Sequence, residues 1–411
     1  MIIPNHISYI LNTLSDAGFE AYVVGGCVRD ALLNICPNDW DISSSALPEQ
    51  VTELFSEKHT VFQSGANHGT VTVVLPEGNV EITTFRTDGE YLDRRRPSTV
   101  SFTRNINDDL ARRDFTINAM AYSDKTGIID LFSGQEHLKK SILSCVGDPE
   151  KRFNEDALRI TRALRFASVY NLKIENKTKS AIHKLKNLLE DIAVERIWGE
   201  LQKAITSSGF CHILSEYHDV LAVIFPNMGY DNLKNDEFYD YIKKINDLPV
   251  DSIIRLYALF YWSYITLNIS NDEFYSLCRK SIMRLKADRN TINKISTLAN
   301  LHLTPLPSSL VETKWLVNKF GYENIADYIS VAKFISGYNT KHLENYLMEI
   351  KEKNLCCALN DLAINGNDLI ANNIASGPEI GNILNSALRL VIEEKLPNDK
   401  KILLNYITNN S

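Results

Sequence analysis

Asp39 and Asp41 stand one residue apart in Asp39-Trp40-Asp41-Ile42, and the two-residue period of a strand places both carboxylates on one face. A pair at that spacing can bind a divalent metal; Mg²⁺ takes one or two carboxylates and fills its shell with substrate phosphate oxygens. Upstream, the apolar run Ala21-Tyr22-Val23-Val24 ends at Gly25-Gly26, which reads as a buried strand entering a tight turn. A helix from Cys27 carries Arg29 and Asp30 in its first turns, so free N–H groups and a guanidinium face whatever lies over the glycines. A phosphate fits there best. Each half alone is commonplace, because such turns are frequent and an Asp-x-Asp is often only solvated or capping. Together they supply the two parts of a nucleoside triphosphate site.

The elements that must position these groups follow from periodicity. Ile7, Ile10, Leu11 and Leu14 recur at helical spacing between Asn5 and Asp16, and Gly18 is a plausible C-cap. Leu47-Pro48-Glu49 opens a helix running to Phe55. Strands are expected at Val61-Phe62, from Thr70 to Leu75 and from Asn79 to Phe85, the last two forming a hairpin around Pro76-Glu77-Gly78. On the second hairpin strand Glu81 faces opposite to Val80 and Ile82, either towards solvent or as a third carboxylate beside Asp39 and Asp41. Arg86 to Phe102, with Arg94, Arg95 and Arg96 in a row, reads as a long mobile loop.

Further on, Arg112 and Arg113 are adjacent and point different ways, so at most one serves a given phosphate while the other can pair with Asp114. A strand at Ile128-Ile129 leads into the turn Asp130 to Gly134. After Gly147-Asp148-Pro149 the pattern is helical to the C-terminus. Its first helix carries Asp156, Arg159 and Arg162 at three-residue steps, flanked by Ala157, Leu158, Ile160, Ala163, Leu164 and Phe166. Surface ion pairs would explain such spacing, but the apolar surround suggests a charged face lining a groove.

These motifs resemble the signature of the polymerase-β-like nucleotidyltransferase superfamily, specifically the class II CCA-adding enzymes and bacterial poly(A) polymerases. The resemblance is carried by Gly25-Gly26-x-x-Arg29-Asp30 with Asp39-x-Asp41, by Arg112-Arg113-Asp114-Phe115-Thr116-Ile117-Asn118-Ala119, by Asp130-x-x-x-Gly134, and by Glu155-Asp156-x-x-Arg159-x-x-Arg162. It implies an α/β head with a mixed sheet at 1–145, a helical neck at 146–210, a helical body at 211–340 and a helical tail at 341–411. Asp39 and Asp41 would then hold Mg²⁺, with Glu81 completing the catalytic acids. Gly25, Gly26, Arg29, Arg112 and Arg113 would bind the triphosphate or ribose. Asp156 and Arg159 would read the Watson–Crick edge of the incoming base, and Arg162 and Arg165 would lie on phosphate or RNA backbone. The implied substrates are tRNA, CTP and ATP.

The segment from Arg86 to Phe102 resembles a loop of enzymes that add C, C and A and argues against a CC-only enzyme; A-only and poly(A) activities stay open, as does an idle RNA-binding module. The segment from Val194 to Lys203 resembles a structural neck helix, and residues 364–384 resemble the tail of Gram-positive bacterial relatives, with Gly377-Pro378 ahead of a helix. His218-Asp219 invites a metal-phosphohydrolase reading, but residues 227–300 supply no further histidine.

Composition sets the outer bounds. A chain of 411 residues exceeds one ordinary core, and 44% hydrophobic residues suffice for globular packing. A formal charge of −7 favours a local basic groove over extended coating of nucleic acid. Seven scattered cysteines without a C-x-x-C pair argue against disulfides and zinc ribbons. No window reaches membrane-spanning length and no signal peptide opens the chain, so a soluble cytoplasmic protein without membrane partners is expected. Oligomeric state has no sequence signal here.

Overall fold

The glycine turn follows one central strand of a seven-stranded mixed sheet, and Asp41 opens the strand beside it with Asp39 just ahead. The computed structural model describes residues 1–89, 99–233, 235–336 and 339–410. Helix α1 (Asn5–Asp16) buries Ile7, Ile10, Leu11 and Leu14, as its spacing predicts. There follow β1 (Ala21–Val24), α2 (Gly26–Leu32), β2 (Asp41–Ser44), α3 (Pro48–Phe55), β3 (Thr60–Gly65), β4 (Thr70–Leu75) and β5 (Gly78–Thr84). Next come β6 (Arg86–Asp88), β7 (Val100–Phe102), α4 (Ile106–Ala111), β8 (Met120–Ser123), β9 (Gly127–Asp130), α5 (Gly134–Lys139) and β10 (Ile142–Leu143). The sheet order is β3-β4-β5-β2-β1-β8-β9. Its pairings are antiparallel except β2 with β5. Val23, Ile42, Val71, Val73 and Ile82 are buried from solvent along it.

Two sequence expectations change here. The strand predicted from Asp39 begins at Asp41, because β1 pairs only as far as Val23↔Ile42 and then turns away at Gly25. Asp39 and Trp40 are left in an approach segment without a ladder partner on that side. The ends of the segment read as a loop from Arg86 to Phe102 instead form an antiparallel ribbon, β6 with β7, in the register Arg86↔Phe102 to Asp88↔Val100. Arg94, Arg95, Arg96 and Pro97 lie outside the described residues.

The helical part opens with α6 (Pro149–Glu155), α7 (Leu158–Val169), β11 (Lys173–Ile174), α8 (Asn176–Leu185), α9 (Val194–Ile205), α10 (Phe210–Glu216) and α11 (His218–Ile224). Where one continuous helix was expected through Asp156, two helices meet. Asp156 is extended (φ −141°, ψ 104°), and its Oδ1 accepts the Leu158 N–H at 3.1 Å. A short acceptor side chain that competes for helix N–H groups favours such a break. At the start of α11, His218 Nδ1 meets the Tyr230 carbonyl at 2.9 Å, and Asp219 pairs with His183 and Lys186 at 2.9 and 2.7 Å. The doublet is held by local structural partners.

The chain divides into two compact units, Met1–Tyr239 and Asp240–Ser411. The second holds α13 (Ser252–Leu267), α14 (Asn271–Arg284), α15 (Arg289–Leu303), α16 (Leu310–Phe320), α17 (Tyr322–Ser336), α18 (Lys341–Glu352), α19 (Gly366–Ala371), α20 (Glu379–Ile392) and α21 (Lys400–Asn410), while α12 (Asn235–Lys243) crosses the division. In α13 the residues from Ile254 to Ser263 are buried all round, the mark of a helix central to its core. Among the described residues, no helix is long and apolar enough to cross a membrane.

Candidate active site

The site begins at the turn from β1 into α2. Gly25 donates its N–H to the Met120 carbonyl at 3.0 Å and takes φ 75°, a left-handed conformation open to glycine at little cost. It is also a point of close approach: a Cβ there would lie 2.7 Å from Arg113 Nη1. Arg29, expected to face an anion over the glycines, is instead buried and satisfied within the protein. Its Nε and Nη2 meet Asp30 Oδ1 at 2.9 and 2.8 Å, and its Nη1 donates to Asn118 Oδ1 at 2.6 Å. The guanidinium lies over the rings of Tyr170 and Phe166, 4.3 and 5.2 Å from their centroids. It helps build the pocket wall beside Gly26, where its Nη2 lies 3.5 Å from the position of a Cβ, while the guanidinium against Gly25 belongs to Arg113.

Asp39 and Asp41 do come together at the pocket edge. Burial pushes the Asp41 carboxyl above its ordinary range; the Arg113 charge opposes this and the Asp39 charge adds to it. A second carboxylate beside Asp41 concentrates negative charge that a cation would relieve, so the donor set fits a divalent metal. Glu81 is the register partner of Asp41 on the adjacent parallel strand but does not line the pocket. Among the described residues no group of three or more His, Cys, Asp or Glu able to hold a metal forms. The ligand candidates here are the two aspartates.

The adjacent arginines differ from their sequence reading, since neither is hydrogen-bonded to Asp114. Both turn to Asp109, one step back on α4 and fully buried. Arg112 donates from Nε and Nη2 to Asp109 Oδ1 at 3.0 and 2.7 Å, while Arg113 Nη2 reaches Oδ2 at 3.1 Å. Asp114 pairs instead with Arg162 (Nε 2.9 Å, Nη2 2.5 Å) and accepts from Asn118 Nδ2 at 3.2 Å. Burial alone would push the Asp114 carboxyl up; the charge and hydrogen bonds of Arg162, the Arg159 charge and the Asn118 amide bring it down to about 2. Neither Asp109 nor Asn118 is assigned a role from the sequence: Asp109 is one acid among several in Asn107-Asp108-Asp109, and Asn118 a neutral amide within the run from Arg112 to Ala119.

The helical wall comes from the junction of α6 and α7. Arg159 Nη1 bridges to Glu155 Oε2 at 2.8 Å and Nη2 donates to the Arg112 carbonyl at 3.2 Å. Asp156 Oδ2 lies 3.3 Å from Arg196 Nη2. Arg165 pairs with Glu200 and stacks 3.9 Å from the Phe166 ring centroid. Gly25, Gly26, Arg29, Asp39, Asp41, Arg112, Arg113, Asp156, Arg159, Arg162 and Arg165 thus share one polar cavity of about 580 Å³, together with Asp114, Asn118 and Phe166. Of the residues expected from the sequence, Glu81 alone is outside that lining.

A family model described as the Poly A polymerase head domain matches residues 21–144, one for the RNA- and SrmB-binding site of polymerase A matches 171–229, and one for tRNA nucleotidyltransferase domain 2 matches 257–407. The CCA-adding enzyme of Ligilactobacillus salivarius (strain UCC118) is 36% identical over 406 residues, covering 96% of this chain and 94% of that protein. That of Pediococcus pentosaceus is 34% identical over 413 residues, covering 97% and 96%. Among solved structures, the Bacillus stearothermophilus CCA-adding enzyme in complex with CTP matches with a TM-score of 0.77 at 28% identity, covering 100% of this chain and 98% of that one. The mixed-sheet head and its helical continuation are thus those of a nucleotidyltransferase. Within that class, the chain belongs to the family of CCA-adding enzymes.

Proposed function

We propose that this protein adds C, C and A in turn to the 3′ end of tRNA, taking CTP and ATP as substrates in the cytoplasm and using no nucleic-acid template. The observation that carries this reading is the shared cavity: one polar space is bounded by a carboxylate pair, a glycine turn closed by an arginine, and the Asp156–Arg159 pair. Asp39 and Asp41 are the residues that would hold a divalent cation, Mg²⁺ in this reading. When bound, it lowers the pKa of the attacking 3′ hydroxyl and neutralises the pyrophosphate leaving group. Arg113 sets a fixed positive charge beside the Gly25 turn, where a triphosphate can approach the backbone closely.

Asp156 and Arg159 supply acceptors and fork-shaped donors, enough to tell C and A from U and G by hydrogen-bond complementarity. Both side chains are held by protein partners, Leu158 and Arg196 for Asp156, Glu155 and the Arg112 carbonyl for Arg159. Such tethering keeps their orientation fixed before the base arrives. Glu81, beside Asp41 in register, is proposed as an acid acting from the neighbouring strand. In this scheme the protein's work is positioning and charge compensation around an in-line displacement. Asp41→Asn tests the assignment: nucleotide addition is lost while tRNA still shifts on a native gel, and retained addition contradicts it.

A further inference from the structure

Resting on the triphosphate reading above, we infer that Asp109 is a positioning residue that fixes Arg113 over the glycine turn. Asp109 is on α4, whose Ile106 and Leu110 are buried in the head core, and its own side chain is fully screened from solvent. It is not itself part of the cavity lining and meets that lining at Arg112 and Arg113, so its carboxylate acts on a ligand through those arginines. A carboxylate taken so deep is costly unless paired. Both its oxygens are engaged: Oδ1 by Arg112, and Oδ2 by Arg113 Nη2 and by the Ser43 hydroxyl at 3.4 Å.

Arg113 Nη2 also lies 3.4 Å from Ser43 Oγ, and Ser43 shares its strand face with Asp41 by the two-residue period of β2. Asp109 therefore ties together the carboxylate strand and the arginine. The anchoring leaves donors over: Arg113 Nε is buried without a hydrogen-bond partner among the described residues, and Nη1 lies 2.7 Å from where a Cβ on Gly25 would stand. An arginine gripped at one nitrogen with others unspent is suited to an anionic oxygen arriving over the turn.

The test is equilibrium binding of inorganic tripolyphosphate and of CTP to the full chain carrying Asp109→Asn, alongside thermal unfolding and KM measurements. The expected result is a folded variant whose affinity for both probes drops at least tenfold, with KM rising in parallel for CTP and ATP and tRNA affinity unchanged. In an Arg113→Ala background, Asp109→Asn should cause no further loss of tripolyphosphate affinity, which a merely structural role would not produce. If Asp109→Asn alone does not fold, the charge-balanced pair Asp109→Asn with Arg112→Gln, compared with Arg112→Gln, gives the same readout. Unchanged affinity, or a full additional loss in the Arg113→Ala background, overturns the inference. A wild-type protein that binds tripolyphosphate but extends no tRNA would remove the proposed activity and leave the role of Asp109 standing.

Discussion

At the scale of single residues, the site is a set of charges whose partners decide what each can do. Asp41 has a neighbour of like charge and an opposing guanidinium, which suits an ion-holding role; Asp41→Asn is expected to lower nucleotide addition by about three orders of magnitude or more. Glu81→Gln should cost less, because Glu81 flanks Asp41 without lining the cavity; single-turnover rates of the two variants compare them directly, and an equal loss would make Glu81 a full partner. Asp114 has a separate consequence for stability. Its carboxyl sits at about 2 in the folded protein, below its ordinary 3.8. A depressed acid stabilises the fold above its unfolded pKa and loses that contribution as pH falls through the folded value. Asp114 is thus expected to contribute on the order of 2 kcal/mol at neutral pH, lost between about pH 4 and pH 2. Asp114→Asn should flatten that part of the acid-unfolding profile, and an unchanged profile would contradict the pairing with Arg162.

At the scale of elements, two junctions matter more than any helix or strand between them. The β1–α2 junction was legible in the sequence, because two glycines after an apolar run announce a turn regardless of what packs on it. What the sequence could not show is that Arg113, far along the chain, closes on Gly25. Gly25→Ala would force φ 75° on a residue with a Cβ and drive that atom to 2.7 Å from Nη1. A stability loss of about 1–2 kcal/mol and a rise in KM for both nucleotides are expected, and a variant with unchanged KM would contradict the close approach. The α6–α7 junction was not legible: helical periodicity runs straight through Asp156, and only the side-chain bond to the Leu158 N–H reveals the break. Asparagine can accept the same bond, so Asp156→Asn should unfold within about 1 kcal/mol of the wild type while admitting U or G. Melting curves and misincorporation assays separate the two effects; unchanged nucleotide choice would remove Asp156 from base reading.

At the scale of the whole molecule, the fold class was readable because strands and helices segregate along the chain and each carries its own period. The β6–β7 ribbon and the late start of β2 escaped, since both depend on which backbone groups find partners across the sheet. Asp109 and Asn118 escaped for a related reason: their importance comes from arginines that reach them only after folding. The chain has a formal charge of −7, while the four guanidiniums of Arg112, Arg159, Arg162 and Arg165 are each already paired with a carboxylate. Net charge therefore gives no general attraction to a polyanion. Binding of tRNA should depend on local phosphate contacts, with the logarithm of affinity falling linearly with that of salt concentration, by roughly 0.7–0.9 per neutralised phosphate. A salt-independent affinity would contradict backbone contacts altogether.

The most direct measurement is extension of tRNA transcripts that lack the CCA end, stop after its second C, or carry it complete, with labelled CTP and ATP read at nucleotide resolution. The account predicts C, C and A in that order on the first, A alone on the second and nothing on the third. Addition of one nucleotide type only, a continuing A tail, or RNA binding without any addition in the presence of Mg²⁺ would contradict it.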